Sequence, residues 1–524
     1  MRKPGKLIRF MNLHKINIKN SHFLIFGLFL VFHLALFNIN AVEWGDSYRI
    51  LRASEYIREF KYPSDEKRPP LYSVVLALRP NVDQVFWGRV VMLAISIINF
   101  VIFYKLCTLY FDKNSRALNL ALLLFAFNPV YFYWSLRIYA DVFLSFFVLL
   151  TFYLLTKWKT KLTLLQLVTL GILAALSVMA RFEGYLLFAS LGVGIFFSSG
   201  FNLKNLQTKI INSAVYFGAC ALFLLPYLYF RNPLTSTYIS ETSGHKFDIP
   251  TMVTYFLSLL FVLGFVYAFY FIFSNKRLFL NFVGSNLGLI SYTVLNLTLV
   301  FFWPSAVPRL FVSGIPFLIL LSTGQLADFF ENKKVSYTTY FILALLLAIY
   351  FVGQEYYRLQ FLVPNRNAFL IMASLQFVLL VFLLLKKFKP FVFTLVLALV
   401  FWTFITVYLH KEIYLSIKQA SEYSQANLQG KIAYNDVSSV SDWYLNEKSK
   451  DSHVSGTYVN FDDKSTLQLS YLQKNKINYL MITNEHDPNL VIDLKKRPYL
   501  NLVRTFSYTS GGKVFFTKVV KVGI

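Results

Sequence analysis

The chain has 524 residues, 56% of them hydrophobic and only 15% charged, against about 25% charged residues in an ordinary soluble domain. A water-soluble core cannot hide that much apolar surface, so the composition excludes a soluble globular protein. The formal charge of +25 does not point to nucleic acid, because Lys and Arg fall in short clusters between apolar runs, as cytoplasmic loops of membrane proteins require.

Residues 1–20 carry six basic residues and no acid. They read as a cytoplasmic tail (1–21) rather than a cleaved signal, because no small-residue cleavage site follows the first apolar run. Apolar runs near the bilayer-spanning length of roughly 20 residues then predict about 13 spans: 22–42, 86–110, 117–133, 141–156, 162–180, 184–200, 210–230, 251–273, 279–302, 309–327, 337–353, 367–385 and 390–409. With the N-terminus inside, alternation places the basic clusters Lys113/Arg116, Lys157/Lys159/Lys161, Lys204/Lys209, Lys276/Arg277, Lys333/Lys334 and Lys386/Lys387/Lys389 in the cytoplasm. The spans 162–180 and 184–200 are joined by Arg181-Phe182-Glu183 alone. Reading them as one helix would turn every later basic cluster outward, so two spans are predicted. The odd number of spans leaves the C-terminal tail outside.

The expected fold class is therefore an all-α polytopic membrane protein with a small extracytoplasmic α/β domain at 411–524, and a transmembrane domain at 22–410 that carries a first outer loop at 43–85. In the tail, Lys431–Tyr434 and Tyr479–Ile482 read as buried strands. Leu500–Tyr508 and Lys513–Val520 read as a hairpin around Ser510-Gly511-Gly512, and Asp463–Asn475 as a helix. Cys107 and Cys220 lie inside apolar runs and read as buried thiols, not as a disulfide framework.

Acids are unevenly spread. Of 26 Asp and Glu, eleven lie in the tail, seven in residues 43–85 and eight in all of 86–410. In the loop, Glu55, Arg58 and Glu59 have the spacing of a solvated amphipathic helix. Glu43-Trp44-Gly45-Asp46 differs, because it puts two acids beside an interfacial Trp at the end of the first span. Lys67-Arg68-Pro69-Pro70 puts two cations before a stiff corner; proline restricts the residue before it to extended geometry, so Arg68 is held for an anion such as phosphate. Within or beside the spans, ionisable groups are expensive. Arg137 and Asp141 lie four apart and can pair, Arg181 and Glu183 flank the shortest connection, and Arg309 follows Trp303–Pro308 and opens a span. Arg89, near the start of the second span, reads as a side chain that snorkels to the surface. Under this topology Asp46, Arg68, Asp141, Arg181, Glu183 and Arg309 all fall on the outer side.

The chain has no Gly-rich phosphate loop, no HExxH and no CxxC. Ser64-Asp65-Glu66 and Asp462-Asp463 are only loosely like the acid pairs that bind nucleotide sugars. An outward-facing site has no nucleotide sugars, so a sugar donor there arrives in the bilayer on a polyprenyl phosphate. Displacement at its anomeric carbon needs a base for the acceptor hydroxyl and fixed cations for the leaving phosphate, and a single displacement inverts the configuration. An oligosaccharide ligase using a lipid diphosphate, a transporter or flippase, and a scaffold that recruits partners through the tail are the competing readings.

An acid just after the first span, a basic-Pro-Pro-Leu corner, an Arg-x-Glu-Gly after the fifth span, a late Arg opening an outer-facing span and a C-terminal outer domain resemble the GT-C glycosyltransferases. The nearest branch resembles the dolichyl-phosphate-mannose-protein mannosyltransferases and the aminoarabinose transferases. The resemblance implies a catalytic or metal-organising role for Asp46 and lipid-phosphate binding by Lys67, Arg68 and Arg309; the outer position of Arg181 adds it to the expected phosphate-binding set. It leaves Glu43, Asp141 and Glu183 as secondary acids. It also allows a divalent metal (Mg or Mn) held by Asp46 and Asp141. The related transferases carry Lys-Pro-Pro where this chain has Arg68-Pro69-Pro70, which keeps the charge but presents a planar fork. The expected partners are a polyprenyl-phosphate sugar, membrane lipids and a glycan, lipid or protein acceptor.

Overall fold

The computed structural model describes residues 21–230, 282–302, 308–332, 337–348 and 366–523, apart from 64–65, 67, 114, 159–161, 199–204, 339, 346–347, 449–452, 462 and 487–493. The N-terminal tail, the expected span 251–273 and Lys67 lie outside these residues. The chain divides into two compact units: residues up to 36 with 67–72 and 90–406, and residues 37–66 with 73–89 and 407–524.

The first unit is helical. Its helices include α1 (Ser21–Leu36), the body of α4 (Gln84–Tyr110), α5 (Arg116–Ala126), α6 (Pro129–Ser135), α7 (Ala140–Trp158), α8 (Leu164–Ala180), α9 (Gly184–Phe196) and α10 (Leu206–Phe230). Later come α11 (Leu287–Phe302), α12 (Ile315–Asn332), α13 (Arg366–Leu384) and α14 (Phe388–His410). Among the described residues, four helices are long and apolar enough to cross a membrane: Gln84–Tyr110, Ala140–Trp158, Leu206–Tyr229 and Phe388–Asn427. Six shorter apolar helices accompany them. Large apolar side chains such as Leu222, Leu225, Phe393 and Leu397 are exposed on these helices. Only a hydrocarbon solvent suits such faces, and the protein is an integral membrane protein.

The connection between α8 and α9 confirms two helices. Arg181 leaves the helix in extended geometry, and a Cβ on Gly184 would collide with the backbone of Ser177, which caps the approach by donating its hydroxyl to the Gly184 carbonyl at 3.4 Å. Only glycine fits this turn. The expected span 117–133 is instead two helices, α5 and α6, bent by 50°. The cause is local. The Asn128 side chain caps the N–H groups of Val130 and Tyr131, and Pro129 starts the new helix without an N–H to lose. A break inside a bilayer must be satisfied by protein: Thr403 donates to the freed Phe127 carbonyl at 3.1 Å, and the Asn99 amide donates to Tyr131 and to the Val142 carbonyl. The first span is shorter than expected, and the span 309–327 opens as a 3-10 turn, Pro308–Phe311, before α12.

The second unit holds α2 (Gly45–Arg58), most of α3 (Leu71–Ala77), α15 (Leu415–Asn427) and a five-stranded sheet. Strands β1 (Gly430–Tyr434), β2 (Val454–Tyr458) and β3 (Ile477–Thr483) are parallel, and β4 (Leu500–Ser510) and β5 (Lys513–Val522) form the expected hairpin, in the order β2-β1-β3-β5-β4. Gly511 and Gly512 both have positive φ, as a two-residue turn with the twist of the strands demands. The expected helix 463–475 is a 3-10 turn followed by the short helix Leu469–Lys474. Ala433, Leu472, Leu480 and Val520 centre the core.

Candidate active site

In the helical unit, Arg181 joins two acids. Its Nη1 donates to Asp141 Oδ2 at 2.6 Å and its Nε lies 2.6 Å from Glu183 Oε2. Asp141 is in the first turn of α7, where a carboxylate is favoured by the helix dipole, and its side chain is only 4% exposed. The three-residue turn between α8 and α9 thus aims one fork at two carboxylates. Arg137, four residues before Asp141, lies in the same buried neighbourhood. It is fully buried, and its guanidinium lies over the Tyr133 ring at 4.9 Å.

Arg309 lies in the 3-10 turn before α12, with its guanidinium 5.0 Å from the centre of the Tyr139 ring and 5.9 Å from that of Trp134. Tyr139 ends the link that leads into α7, two residues before Asp141, so the Arg309 turn and the Asp141 turn are tied to the same short stretch of chain. Such cation–ring contacts hold the arginine side chain in place. Arg68 is half-buried and followed by a buried Pro69. The corner is pinned by Tyr72, whose ring packs on Phe143 of α7 at 5.1 Å. Phe143 is itself two residues beyond Asp141.

In the second unit, Asp46 is half-buried in the first turn of α2. A Cβ on the preceding Gly45 would lie 2.8 Å from the Ser438 carbonyl oxygen, so the helix start rests directly on the 436–441 loop. That loop is built around Asp436, whose carboxylate accepts from the Ser438 N–H and hydroxyl, from the Ser441 N–H at 2.7 Å, and from His486 Nε2 at 2.8 Å. Burial pushes the Asp436 carboxyl up, but the His486 contact and the serine donors outweigh it and hold the group below the ordinary carboxylate range. Next to it, burial raises the Glu485 carboxyl despite donors from Ser416, Tyr508 and the Tyr414 N–H.

Glu43 is fully buried and paired with Arg89 at 2.8 Å. Arg89 also donates to Asn38 Oδ1 at 2.5 Å and to the Asn40 carbonyl at 2.6 Å. Arg89 therefore does not snorkel. Its charge is consumed by chain that returns to it from the end of the first span, a long-range pairing that periodicity alone does not reveal. Glu55 likewise pairs with Arg79 at 3.0 Å rather than with its helical neighbour Arg58. The Asp436–His486 pair also escaped sequence reasoning, although Asn435-Asp436-Val437-Ser438-Ser439 is a composition typical of side-chain-bonded turns.

The donor set bears on a metal. Among the described residues no three His, Cys, Asp or Glu side chains gather to hold one, and Asp141, a suggested ligand, has Oδ2 engaged by Arg181. The described residues therefore do not make a metal cage.

No protein-family model and no curated protein sequence matches the chain. Solved structures do. The apo structure of ArnT from Cupriavidus metallidurans matches with a TM-score of 0.60 at 11% identity, covering 96% of this chain and 98% of that one. The same protein bound to undecaprenyl phosphate matches with a TM-score of 0.57 at 12% identity, covering 95% and 98%. Arabinofuranosyltransferase AftD from Mycobacteria matches with a TM-score of 0.50 at 10% identity, covering 95% of this chain and 40% of that one. Over nearly its whole length the chain therefore follows a known architecture: it has the fold of the GT-C glycosyltransferases.

Proposed function

We propose that the chain is an inverting glycosyltransferase of the extracytoplasmic membrane surface, moving a sugar from a polyprenyl-phosphate carrier to an acceptor hydroxyl. The observation that carries this reading is the guanidinium of Arg309, held by the Tyr139 and Trp134 rings at the approach to Asp141, in a chain of GT-C fold. That one fold neighbour was solved with undecaprenyl phosphate supports a lipid phosphate as donor.

In this mechanism the Asp46 carboxylate takes the proton of the acceptor hydroxyl. The acceptor oxygen attacks the anomeric carbon as the bond from that carbon to the carrier-phosphate oxygen breaks. The phosphate leaves with the electron pair, and Arg68, Lys67 and Arg309 hold its charge. A positioned carboxylate base contributes about 10²–10⁴-fold. Arg181 already serves two carboxylates, so we assign it to positioning Asp141 and Glu183 beside the carrier phosphate.

Purified protein given a polyprenyl-monophosphate sugar and, in parallel, the matching diphosphate tests the reading. Transfer from the monophosphate, lost in Asp46→Asn while the folded protein persists, is the expected result. Transfer only from the diphosphate would make the chain a ligase. Full activity of Asp46→Asn would remove this residue from the mechanism.

A further inference from the structure

The second unit holds two polar cavities that the transferase mechanism does not use, of about 360 and 370 Å³, within the size range of small-molecule sites. They share Asp83, Val85 and Lys448 in their linings and so lie side by side as two chambers of one cleft wall. One wall is α2, through Tyr48, Arg52, Glu55 and Tyr56, which share a helix face by their spacing. Asp46, two residues before Tyr48, is about 200° around the helix from it. The cleft and the proposed base therefore occupy different faces of α2.

The lining identifies the class of ligand. In the second cavity three cations, Arg52, Arg79 and Lys448, are balanced by three acids, Glu55, Asp83 and Glu447. Arg79 is held to Glu55 at 3.0 Å and Arg52 to Glu447 at 3.8 Å. A balanced set of fixed carboxylates and guanidiniums repels neither sign and selects neither, so it is poorly made for phosphate. It is well made for hydroxyl groups, each of which donates to a carboxylate and accepts from an N–H. Rings line the same space: Tyr56 and Trp443 in one cavity, Tyr48 and Tyr444 in the other. The Trp443 side chain adds a donor at the cavity wall. The residue is 4% exposed, yet its indole N–H has no acceptor among the described residues. A buried donor left without an acceptor costs free energy, and a small shift of the cavity wall that admits a ligand oxygen beside the ring would relieve it.

We propose that this cleft is a binding site for a neutral saccharide, separate from Asp46. The sugar hydroxyls bridge the Arg79–Glu55 and Arg52–Glu447 pairs, one ring oxygen or hydroxyl accepts from Trp443, and the apolar sugar face lies against the tyrosine rings. The site stands on its own geometry, and its test measures binding rather than transfer.

Full-length protein in detergent is titrated calorimetrically with neutral di- and tetrasaccharides of glucose, mannose, galactose and arabinose, and with inorganic phosphate. At least one saccharide binds at millimolar concentration or below, and phosphate does not displace it. Trp443→Phe keeps the ring, removes the N–H and weakens binding by about tenfold, the loss of one hydrogen bond. Lys448→Gln, at an exposed position that cannot unfold the chain, weakens it severalfold. Asp46→Asn binds as the parent does, which separates this site from the transferase reading. No binding across the panel, displacement by phosphate, unchanged affinity in Lys448→Gln, or loss of binding in Asp46→Asn would each overturn the proposal.

Discussion

Arg181 and Asp141, forty positions apart in the chain, meet Nη1 to Oδ2 at 2.6 Å at the adjoining ends of α8 and α7. The partners are 14% and 4% exposed. Removing one member of a buried pair strands the other charge and costs about 3–5 kcal/mol. Arg181→Ala is therefore expected to lower thermal stability in detergent strongly, whereas Arg181→Met combined with Asp141→Asn recovers part of the loss. Equal stability for Arg181→Ala and the parent would show that the pair carries no such strain.

Gly45 is a sharper probe of the site than of the fold. A Cβ there would lie 2.8 Å from the Ser438 carbonyl oxygen, so Gly45→Ala must shift either the first turn of α2 or the 436–441 loop. Misplacement of this kind is enough to cost catalysis heavily, up to ~10²-fold per ångström. The expected outcome is a fall in kcat greater than tenfold with a modest change in melting temperature. A kcat within twofold of the parent would detach Asp46 from its geometry.

The Glu43–Arg89 pair predicts a graded series. Glu43 is fully buried, so Arg89→Ala leaves a carboxylate without its cation and costs about 3–5 kcal/mol. Arg89→Lys keeps the charge but gives up the fork that also serves Asn38 and Asn40. Melting temperatures should fall in the order parent, Arg89→Lys, Arg89→Ala.

Two neighbouring carboxyls give opposite pH responses. The Asp436 carboxyl is held down by His486 and its serine donors. Its contribution to stability is present above the ordinary Asp range and is lost as pH falls through the lowered folded value. The Glu485 carboxyl is raised by burial, so the folded state binds that proton more tightly than the unfolded chain. Glu485 therefore costs stability at neutral pH, and this cost fades as pH falls through the raised value toward the ordinary one. Melting curves from pH 7 to 3 should show Asp436→Asn less stable than the parent at neutral pH, with the gap closing in acid. In Glu485→Gln the acid-side relief should be absent. The same slope in all three proteins would contradict both assignments.

Hydrophobic periodicity exposed the membrane helices because a bilayer imposes length and apolarity on each of them separately. The α8–α9 split was legible from Arg181 and Glu183, and the C-terminal hairpin from its paired glycines. The bend at Asn128-Pro129 was not inferred, since an apolar run stays apolar on both sides of a break and only the Asn cap marks it. Arg89 was misjudged for a different reason. Its partners come from residues 38–43, and no local rule shows that a charge near a helix start is met by chain arriving from elsewhere. Strand Val454–Tyr458 was missed because its serine, glycine and threonine lack strand-like hydrophobicity; it is set by pairing with Gly430–Tyr434.

The support beneath Asp46 is made late. Ala41 offers its N–H to the Lys411 carbonyl and its own carbonyl to Lys418, 377 positions further on, and Gly45 rests on Ser438. At about 5–20 residues per second, a ribosome needs roughly 20–75 s to cover that separation. Throughout this interval the α2 segment lacks the platform that it has in the folded chain. A chain arrested before the sheet has emerged carries Asp46 but cannot hold it in place.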